Sequence, residues 1–315
     1  MRVYEDGYIQ VTRDCNQECI FCTQPKHPEF LPLEKIKRKV REYKRQGFTS
    51  IVYTGGEPTI YPYILEVIRF VEEQGMEQRM ITNGSKLADI SFCKRLVKAG
   101  LRKVVISVHT HKRELAKRIS KTDNLPNTMK GIKNMLEIGC EVNINITIIK
   151  LNYPHLSEFV RYLVERFPKI RHFVFNFVEV GGRAAENKGI IPKLSEVELE
   201  LRKAMQFLIE SGRTLRVERV PLCYMGDFEV FSSETRRILG NQEYHTYYIS
   251  EDKTQINSKE LIYDKDYLKS DDCEICWLSP ICAGVKNSYK EIHGMDEIYP
   301  LFKPVKPFLE MNLSD

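Results

Sequence analysis

The chain has no run of about 18 apolar residues, so no stretch of it is built to cross a bilayer as a helix. Met1 to Gln10 carries charges and no apolar core, which leaves no basis for a secretory signal. Internal repeats and low-complexity segments are missing. Charge of one sign is not in excess either: the formal net charge is +5, too mild to imply nucleic acid as a partner. Nine cysteines is an odd number, and without a signal it argues against a disulfide framework. Unpaired thiols point instead to a reducing compartment, the cytoplasm. At 315 residues and 42% hydrophobic, the chain can bury one large domain and a smaller appendage.

What is present is an alternation of strand-like and helix-like runs. Gly7–Arg13, Thr49–Tyr53, Gln78–Thr82, Lys103–His109, Glu141–Lys150 and His172–Val178 read as strands. Leu33–Gln46, Tyr61–Gln74, Ser91–Ala99, Asn127–Ile138 and Leu156–Phe167 read as helices, two of them closed by Gly100 and Gly139. Such units imply an α/β fold with a parallel sheet and right-handed crossovers. They are too few for a closed eightfold barrel, and a partial (β/α)6 barrel fits. Functional residues then belong at the C-terminal ends of the strands.

The chemistry-bearing residues fall there. Cys15-x-x-x-Cys19-x-x-Cys22 follows the first strand. Three thiols so close can converge on one metal centre, and a four-iron cluster held by three thiolates keeps one iron open. A zinc site completed by His27 is the bland alternative. Thr54-Gly55-Gly56-Glu57-Pro58 ends the second strand, where missing side chains let a ligand approach the backbone. Asn83 ends the third strand, and Ser107 and His109 end the fourth. Asn143, Asn145 and Thr147 alternate along the fifth and so share one face. They either touch a ligand or satisfy neighbouring backbone. Glu179-Val180-Gly181-Gly182-Arg183-Ala184 follows the sixth.

Together the cysteine triad and the Gly-Gly-Glu-Pro run resemble the radical S-adenosylmethionine (SAM) superfamily. That resemblance implies a [4Fe–4S] cluster on Cys15, Cys19 and Cys22, with Phe21 packed beside the adenine of SAM. It implies that Thr54, Gly55, Gly56, Glu57 and Pro58 hold the amino group of SAM. Asn83, Ser107 and Asn145 are the polar cofactor contacts it suggests, Ser107 at the ribose. Arg183, in a Gly-Arg-Ala turn common in peptide-modifying members, is expected to pair with the SAM carboxylate. His109 departs from the family, since many relatives have aspartate there; His109 and His111 face either substrate or solvent. The chemistry implied is cleavage of SAM to methionine and a 5′-deoxyadenosyl radical that removes hydrogen from a substrate. Reduced ferredoxin or flavodoxin is the expected electron donor. The cations of the first helix, Lys35 to Arg45, read as a solvated face or as a dock for that donor.

The C-terminal part is organised differently. Ser195-x-x-Glu198 reads as a capping box opening a helix to about Ser211, and Thr214–Val220 as a strand. Pro221-Leu222-Cys223 follows, and much later Cys273-x-x-Cys276-x5-Cys282-Ala-Gly. This spacing resembles the SPASM and Twitch extensions of radical SAM enzymes. It implies an auxiliary [4Fe–4S] cluster on Cys223, Cys273, Cys276 and Cys282, with zinc as the alternative and Cys223 alternatively a free thiol near the substrate. Cys93 and Cys140 read as small buried hydrophobes. Tyr244, Tyr247, Tyr248, Tyr263 and Tyr267 are expected to pack a small β-element, and Ile298–Phe302 to strap the domain. Residues 1–185 are thus expected to form the barrel and 186–315 an α+β auxiliary-cluster domain.

Two substrates compete within this chemistry. One is a ribosomally made peptide, crosslinked, given a thioether or oxidised. The other is a small molecule that is dehydrogenated or rearranged. The terminal Asn312-Leu313-Ser314-Asp315 lacks the paired glycines of molybdopterin-precursor enzymes, which counts against one version of the second. A non-catalytic metal-binding protein has no use for Gly-Gly-Glu-Pro.

Overall fold

The computed structural model describes residues 3–24, 27–240, 242–248, 253–257 and 266–305. Tyr263 and residues 312–315 therefore lie outside the described residues, as do the side chains of Tyr244, Tyr247 and Tyr248.

The chain runs β1 (Val3–Thr12), α1 (Leu33–Gln46), β2 (Ser50–Gly55), α2 (Ile64–Glu73), β3 (Glu77–Thr82), α3 (Ile90–Ala99), β4 (Lys103–Ser107), α4 (Arg113–Ser120), α5 (Leu125–Glu137), β5 (Glu141–Ile148), α6 (Leu156–Arg166) and β6 (His172–Phe177). It continues with α7 (Arg183–Glu186), α8 (Leu194–Glu210), β7 (Thr214–Glu218), α9 (Ser233–Gly240), β8 (Gln242–Tyr248), β9 (Lys253–Asn257), β10 (Tyr267–Leu268), β11 (Val285–Lys286) and α10 (Asn287–His293). Strands pair in the order β7-β6-β5-β4-β3-β2-β1-β8-β9. The first seven are parallel, β8 lies parallel to β1, and β9 is antiparallel to β8. The sheet is thus a seven-stranded parallel α/β sheet with additions, wider than six strands. It does not end at residue 185: α8 and β7 add one more unit beyond β6, and β8 adds to the opposite edge. The tyrosine-rich segment 242–248 therefore extends the main sheet.

Side-chain alternation gives the sheet two unlike faces. In β5, Val142, Ile144, Ile146 and Ile148 are buried under the helices, while Asn145 and Thr147 are half-buried on the other face. The helices seal the apolar face. In α1, Ile36, Val40 and Tyr43 fall at helical spacing and are fully buried. Each such side chain contributes about 1.5–3 kcal/mol by leaving water. The opposite, concave face keeps polar residues: Tyr8 and Gln10 of β1, Thr54 of β2, Arg79 of β3, Ser107 of β4 and Asn176 of β6.

Two expected details change. α4 was not legible as a helix. The Ser195–Glu198 box is absent: α8 begins at Leu194, and Glu196 Oε2 accepts the Lys193 N–H at 3.0 Å. The Leu194 and Ser195 N–H groups instead reach Glu297 at 3.3 and 3.0 Å, so a distant carboxylate fills the helix start.

Candidate active site

The loop after β1 carries the three cysteines, and every neighbouring strand end grips it. Gly56 N–H donates to Thr12 O and Glu57 N–H to Asp14 O, both at 2.8 Å. A Cβ on Gly55 would stand 2.0 Å from Thr12 O, and one on Gly56 2.0 Å from Asp14 O. The two glycines therefore let the second strand's end lie against the cysteine loop. Sequence reasoning reserved that space for a ligand; in the structure backbone fills it.

Glu57 is buried and fully occupied. It accepts from Thr59 N at 3.0 Å, from Thr59 Oγ1 and Thr82 Oγ1 at 2.6 Å, and from Asn83 N at 2.7 Å. Burial raises its pKa against the pull of these four donors. Its carboxylate ties the ends of β2 and β3 together. Asn83 donates to Asn16 Oδ1 at 2.7 Å, and Asn16 donates to Ser85 Oγ at 2.8 Å, which pins the cysteine loop to the end of β3. On the other flank, Glu18 and Ile20 N–H groups donate to Ser120 and Ile119 carbonyls at 2.9 Å.

The Gly182-Arg183 turn closes the remaining side. Arg183 N–H donates to Cys22 O at 3.0 Å and its guanidinium to Cys19 O at 3.3 Å. Gly182 has φ +49°, and a Cβ there would meet Cys22 O at 2.6 Å. Arg183 thus holds the cysteine loop's backbone, where the sequence suggested a partner for the SAM carboxylate.

The three thiols are free. Burial pushes the Cys19 thiol up to about 12, and the neighbouring Cys15 and Cys22 add to the rise. Each sulfur has its own partner: Gln17 N–H donates to Cys15 Sγ, and Cys19 and Cys22 donate to Gln17 Oε1 and Gln24 O. Among the described residues, no three His, Cys, Asp or Glu side chains stand close enough to share one metal ion. The ligands of a four-iron cube bind different corners, so they need no such closure. His27 pairs with Glu29 at 3.5 Å and is not gathered to the thiols. The donor set, three thiols on one clamped loop, suits a cluster better than zinc.

Phe21 meets His109 edge-on, with ring centroids 4.7 Å apart. His109 Nδ1 accepts the Thr147 N–H at 3.0 Å, and its carbonyl accepts from Asn152. Burial lowers its pKa to about 4, so the ring is neutral and the proton sits on Nε2. His111 turns away, stacking on Tyr162 and reaching Glu158 at 3.1 Å. Asn145 donates to Ser107 Oγ at 3.4 Å and accepts from Asn176. Asn176 in turn accepts from Arg219 at 3.0 Å. This chain of contacts crosses β4, β5 and β6. Two buried acceptors on the concave face, Gln10 Oε1 and Asn143 Oδ1, have no partner among the described residues. Buried polar atoms are normally paired, so both fit a ligand rich in donors. Thr54 stands on the same face, beside Gln10 in register, and Pro58 is buried at the turn that follows Glu57.

The C-terminal cysteines also meet. Cys223 is buried, and burial pushes its thiol up to about 12 with Cys282 and Cys273 contributing. Burial likewise raises Cys282, again with Cys273 adding. Cys276 lies one turn from Cys273 and its sulfur accepts the Leu301 N–H at 3.3 Å, while Gly284 N–H donates to Cys282 Sγ. The strap is real: Tyr299 donates to Cys223 O and Trp277 N–H to Leu301 O. Arg219, left-handed at φ +63°, pairs with Glu179 and Glu218, and Lys286 joins Glu179 to Asp266. These ion pairs fasten β11 to the ends of β6 and β7. Cys93 and Cys140 lie in the core.

Sequence reasoning missed Asn16, Asn176, Arg219 and the α4 carbonyls. Asn16 sits inside the cysteine motif and Asn176 alternates in β6, so both carried a signal. Arg219 carried none.

Comparison with known proteins defines the class. Residues 9–163 match the family model described as the Radical SAM superfamily, so the chain carries a radical SAM domain. A protein of Thermococcus kodakarensis named Probable GTP 3',8-cyclase is 35% identical over 160 residues, 49% of this chain and 51% of that one. A protein of the same name from Saccharolobus islandicus is 32% identical over 168 residues, 50% of this chain and 53% of that one. The chain thus spans about half the length of the curated relatives it matches. SuiB of Streptococcus suis, solved bound to its precursor peptide SuiA, has the same fold: TM-score 0.67, 17% identity, 97% of this chain and 76% of that one. anSMEcpe with bound AdoMet gives TM-score 0.65, 14% identity, and 94% and 93% coverage. The domain and the named relatives mark the protein as an enzyme. Among the described residues no helix is long and apolar enough to cross a membrane.

Proposed function

We propose that the protein is a radical SAM enzyme that modifies a ribosomally made peptide. The observation that carries the chemistry is the clamped loop: three free thiols held by Gly55, Gly56, Asn83 and Arg183 at the C-terminal edge of a parallel sheet. Cys15, Cys19 and Cys22 would hold a [4Fe–4S] cluster. Such a cluster supplies the electron that splits SAM into methionine and the 5′-deoxyadenosyl radical, the species that takes hydrogen.

The chain's own residues do the rest. Glu57 and Asn83 keep the loop in register, so three thiols keep one geometry. Phe21 and His109 wall the space beside it, His109 with a neutral N–H to offer. Gln10 and Asn143 offer acceptors for a ligand's ammonium or hydroxyl groups. Ser107, Asn145 and Asn176 line the concave face on which a substrate would lie. Cys223, Cys273, Cys276 and Cys282 would hold an auxiliary cluster, strapped by Tyr299 and Leu301. A cluster held there would supply an acceptor for the electron left on the substrate after hydrogen abstraction.

The peptide reading is supported by the likeness to SuiB with its precursor peptide, which runs through the C-terminal region. A second reading, a small molecule such as a nucleoside triphosphate, is favoured by relatives named GTP 3',8-cyclase, whose likeness covers about half of this chain. Anaerobic reconstitution should give about eight irons per chain, and reduction with SAM should release 5′-deoxyadenosine. Incubation with GTP, and separately with the peptide encoded beside the gene, decides the substrate by mass spectrometry. A peptide that loses hydrogen mass supports the first reading. A mass change in GTP alone replaces it with the second.

A further inference from the structure

We propose that the basic surface flanking the cysteine loop, made by the turn after β3, α3, the end of α4 and the start of α5, docks an acidic one-electron carrier protein. The inference rests on the radical SAM reading and adds where the electron enters.

The cysteine loop is only half-buried, and Glu18 within it is exposed. Two surfaces are bolted to its flanks. Ser85 binds Asn16 on one side, and the Ile119 and Ser120 carbonyls bind Ile20 and Glu18 on the other. Both flanks are cationic. Lys86, Arg95, Arg118, Lys121 and Lys130 are exposed and make no ion pair among the described residues. The nearby acids are fewer than the cations. Asp89 caps α3 through Ser91 and keeps its charge, and Asp123 is held by two bonds from Arg113 at 2.9 and 2.7 Å. Glu114 is exposed.

A groove of about 440 Å³ opens on this surface, lined among others by Ser85, Lys86, Asp89, Phe92, Arg95 and Asn127, so that two cations, Lys86 and Arg95, face one carboxylate, Asp89. Its wall at Ser85 is one hydrogen bond from the cysteine loop. Arg95 lies over the Phe92 ring at 5.5 Å, which holds its charge at the rim. A carboxylate of a partner fits such a recess, and a surface of one sign steers a partner of the other.

The cations of α1, read from sequence as a solvated face or as a dock, suit this role less well. On α1, Lys37 is paired with Glu34 and Glu66, and Lys39 with Glu42. α1 starts beside the end of β1 and runs back to the start of β2, so its later cations recede from the cysteine loop. At the proposed face the carrier loses one electron and the cluster gains one; no bond or proton moves.

The test uses the reconstituted full chain with a purified bacterial flavodoxin as probe. Binding is read by calorimetry with oxidised flavodoxin, and electron delivery by the loss of cluster absorbance with the reduced form. Arg95→Glu with Arg118→Glu should weaken binding and slow reduction by about tenfold or more at low salt, a deficit that shrinks at about 1 M salt. Arg38→Glu with Arg45→Glu on α1 should stay within about twofold of the parent. Dithionite, which needs no dock, should reduce all three proteins alike. If the charge-reversed protein does not fold, Arg95→Gln with Arg118→Gln should show the same salt-sensitive loss at about threefold. The proposal is overturned if the α1 variant reproduces the loss, or if the α3/α4 variant accepts electrons like the parent. A parent centre that dithionite cannot reduce would sink the radical SAM reading itself, and this dock with it.

Discussion

The two cysteine sites are built in opposite ways. Cys15, Cys19 and Cys22 lie in one short loop, and the fold's task is to clamp that loop from three sides. Cys223 and the Cys273–Cys282 segment are far apart in sequence, and only the fold brings them together. The first site rests on backbone: glycines without Cβ, carbonyls of Thr12, Asp14 and Cys22, and N–H groups aimed at them. The second adds ion pairs of Arg219, Glu218, Glu179 and Lys286 and the Tyr299 strap to backbone N–H groups of Leu301 and Gly284 on its sulfurs. A site held by backbone tolerates change around it so long as the glycines stay. One held partly by half-buried ion pairs weakens when a partner is removed.

The sharpest test of that contrast is to remove one thiol from each site. Cys19→Ala should abolish 5′-deoxyadenosine release, a loss of a thousandfold or more, and take about half of the iron. Cys273→Ala should lose a similar share of iron while still cleaving SAM. Equal loss of cleavage in both would mean the sites do not have separate tasks.

Next comes the half-buried ion pair. Arg219→Ala removes one cation from Glu218 and Glu179, which keep Arg237 and Lys286, at a cost of about 2–3 kcal/mol, read as a fall in thermal midpoint. Gly56→Ala should cost a comparable amount by a different route, since its methyl would enter Asp14 O. Only Gly56→Ala should also spoil iron loading on the first site when the folded fraction is isolated.

The pH response is smaller. His109 has its pKa lowered from 6.5 to about 4 by burial. A folded-state pKa below the unfolded one means that the neutral ring's stabilisation is complete above about pH 6.5 and fades as pH falls toward 4. The full difference is about 3 kcal/mol. His109→Asn should therefore narrow its stability gap to the parent between pH 7 and pH 4, as measured by denaturant titration. A gap constant with pH would mean the ring is solvated.

The smallest effect is optical. Trp277 is the only tryptophan and lies beside Cys276. Loading an auxiliary cluster should quench its emission in the parent and not in Cys273→Ala. Unquenched emission in a fully loaded parent would place that iron elsewhere.

The sequence made the local patterns readable. Period-two burial in β5, helical spacing in α1 and the cysteine triad could all be seen, because each depends on neighbours within a few residues. α4 escaped because it is short and mostly polar. The α8 start was misplaced because its donors are filled by Glu297, a hundred residues away. Glu57 and Arg183 were singled out as SAM contacts; in the structure Glu57 is held by Thr59, Thr82 and Asn83, and Arg183 by carbonyls of the cysteine loop. Only three-dimensional packing could show that, since a carboxylate's partners are not written beside it.

By itself the sequence determined the class of chemistry: three thiols in one loop and a Gly-Gly-Glu turn, each encoded within a few residues. Tertiary structure alone decided how that loop is gripped, which cations border it and how Cys223 reaches Cys273 and Cys282. The reason is physical. Covalent spacing fixes what a short loop can ligate, whereas clamps, charged faces and distant ligands exist only once strands from the whole chain have paired.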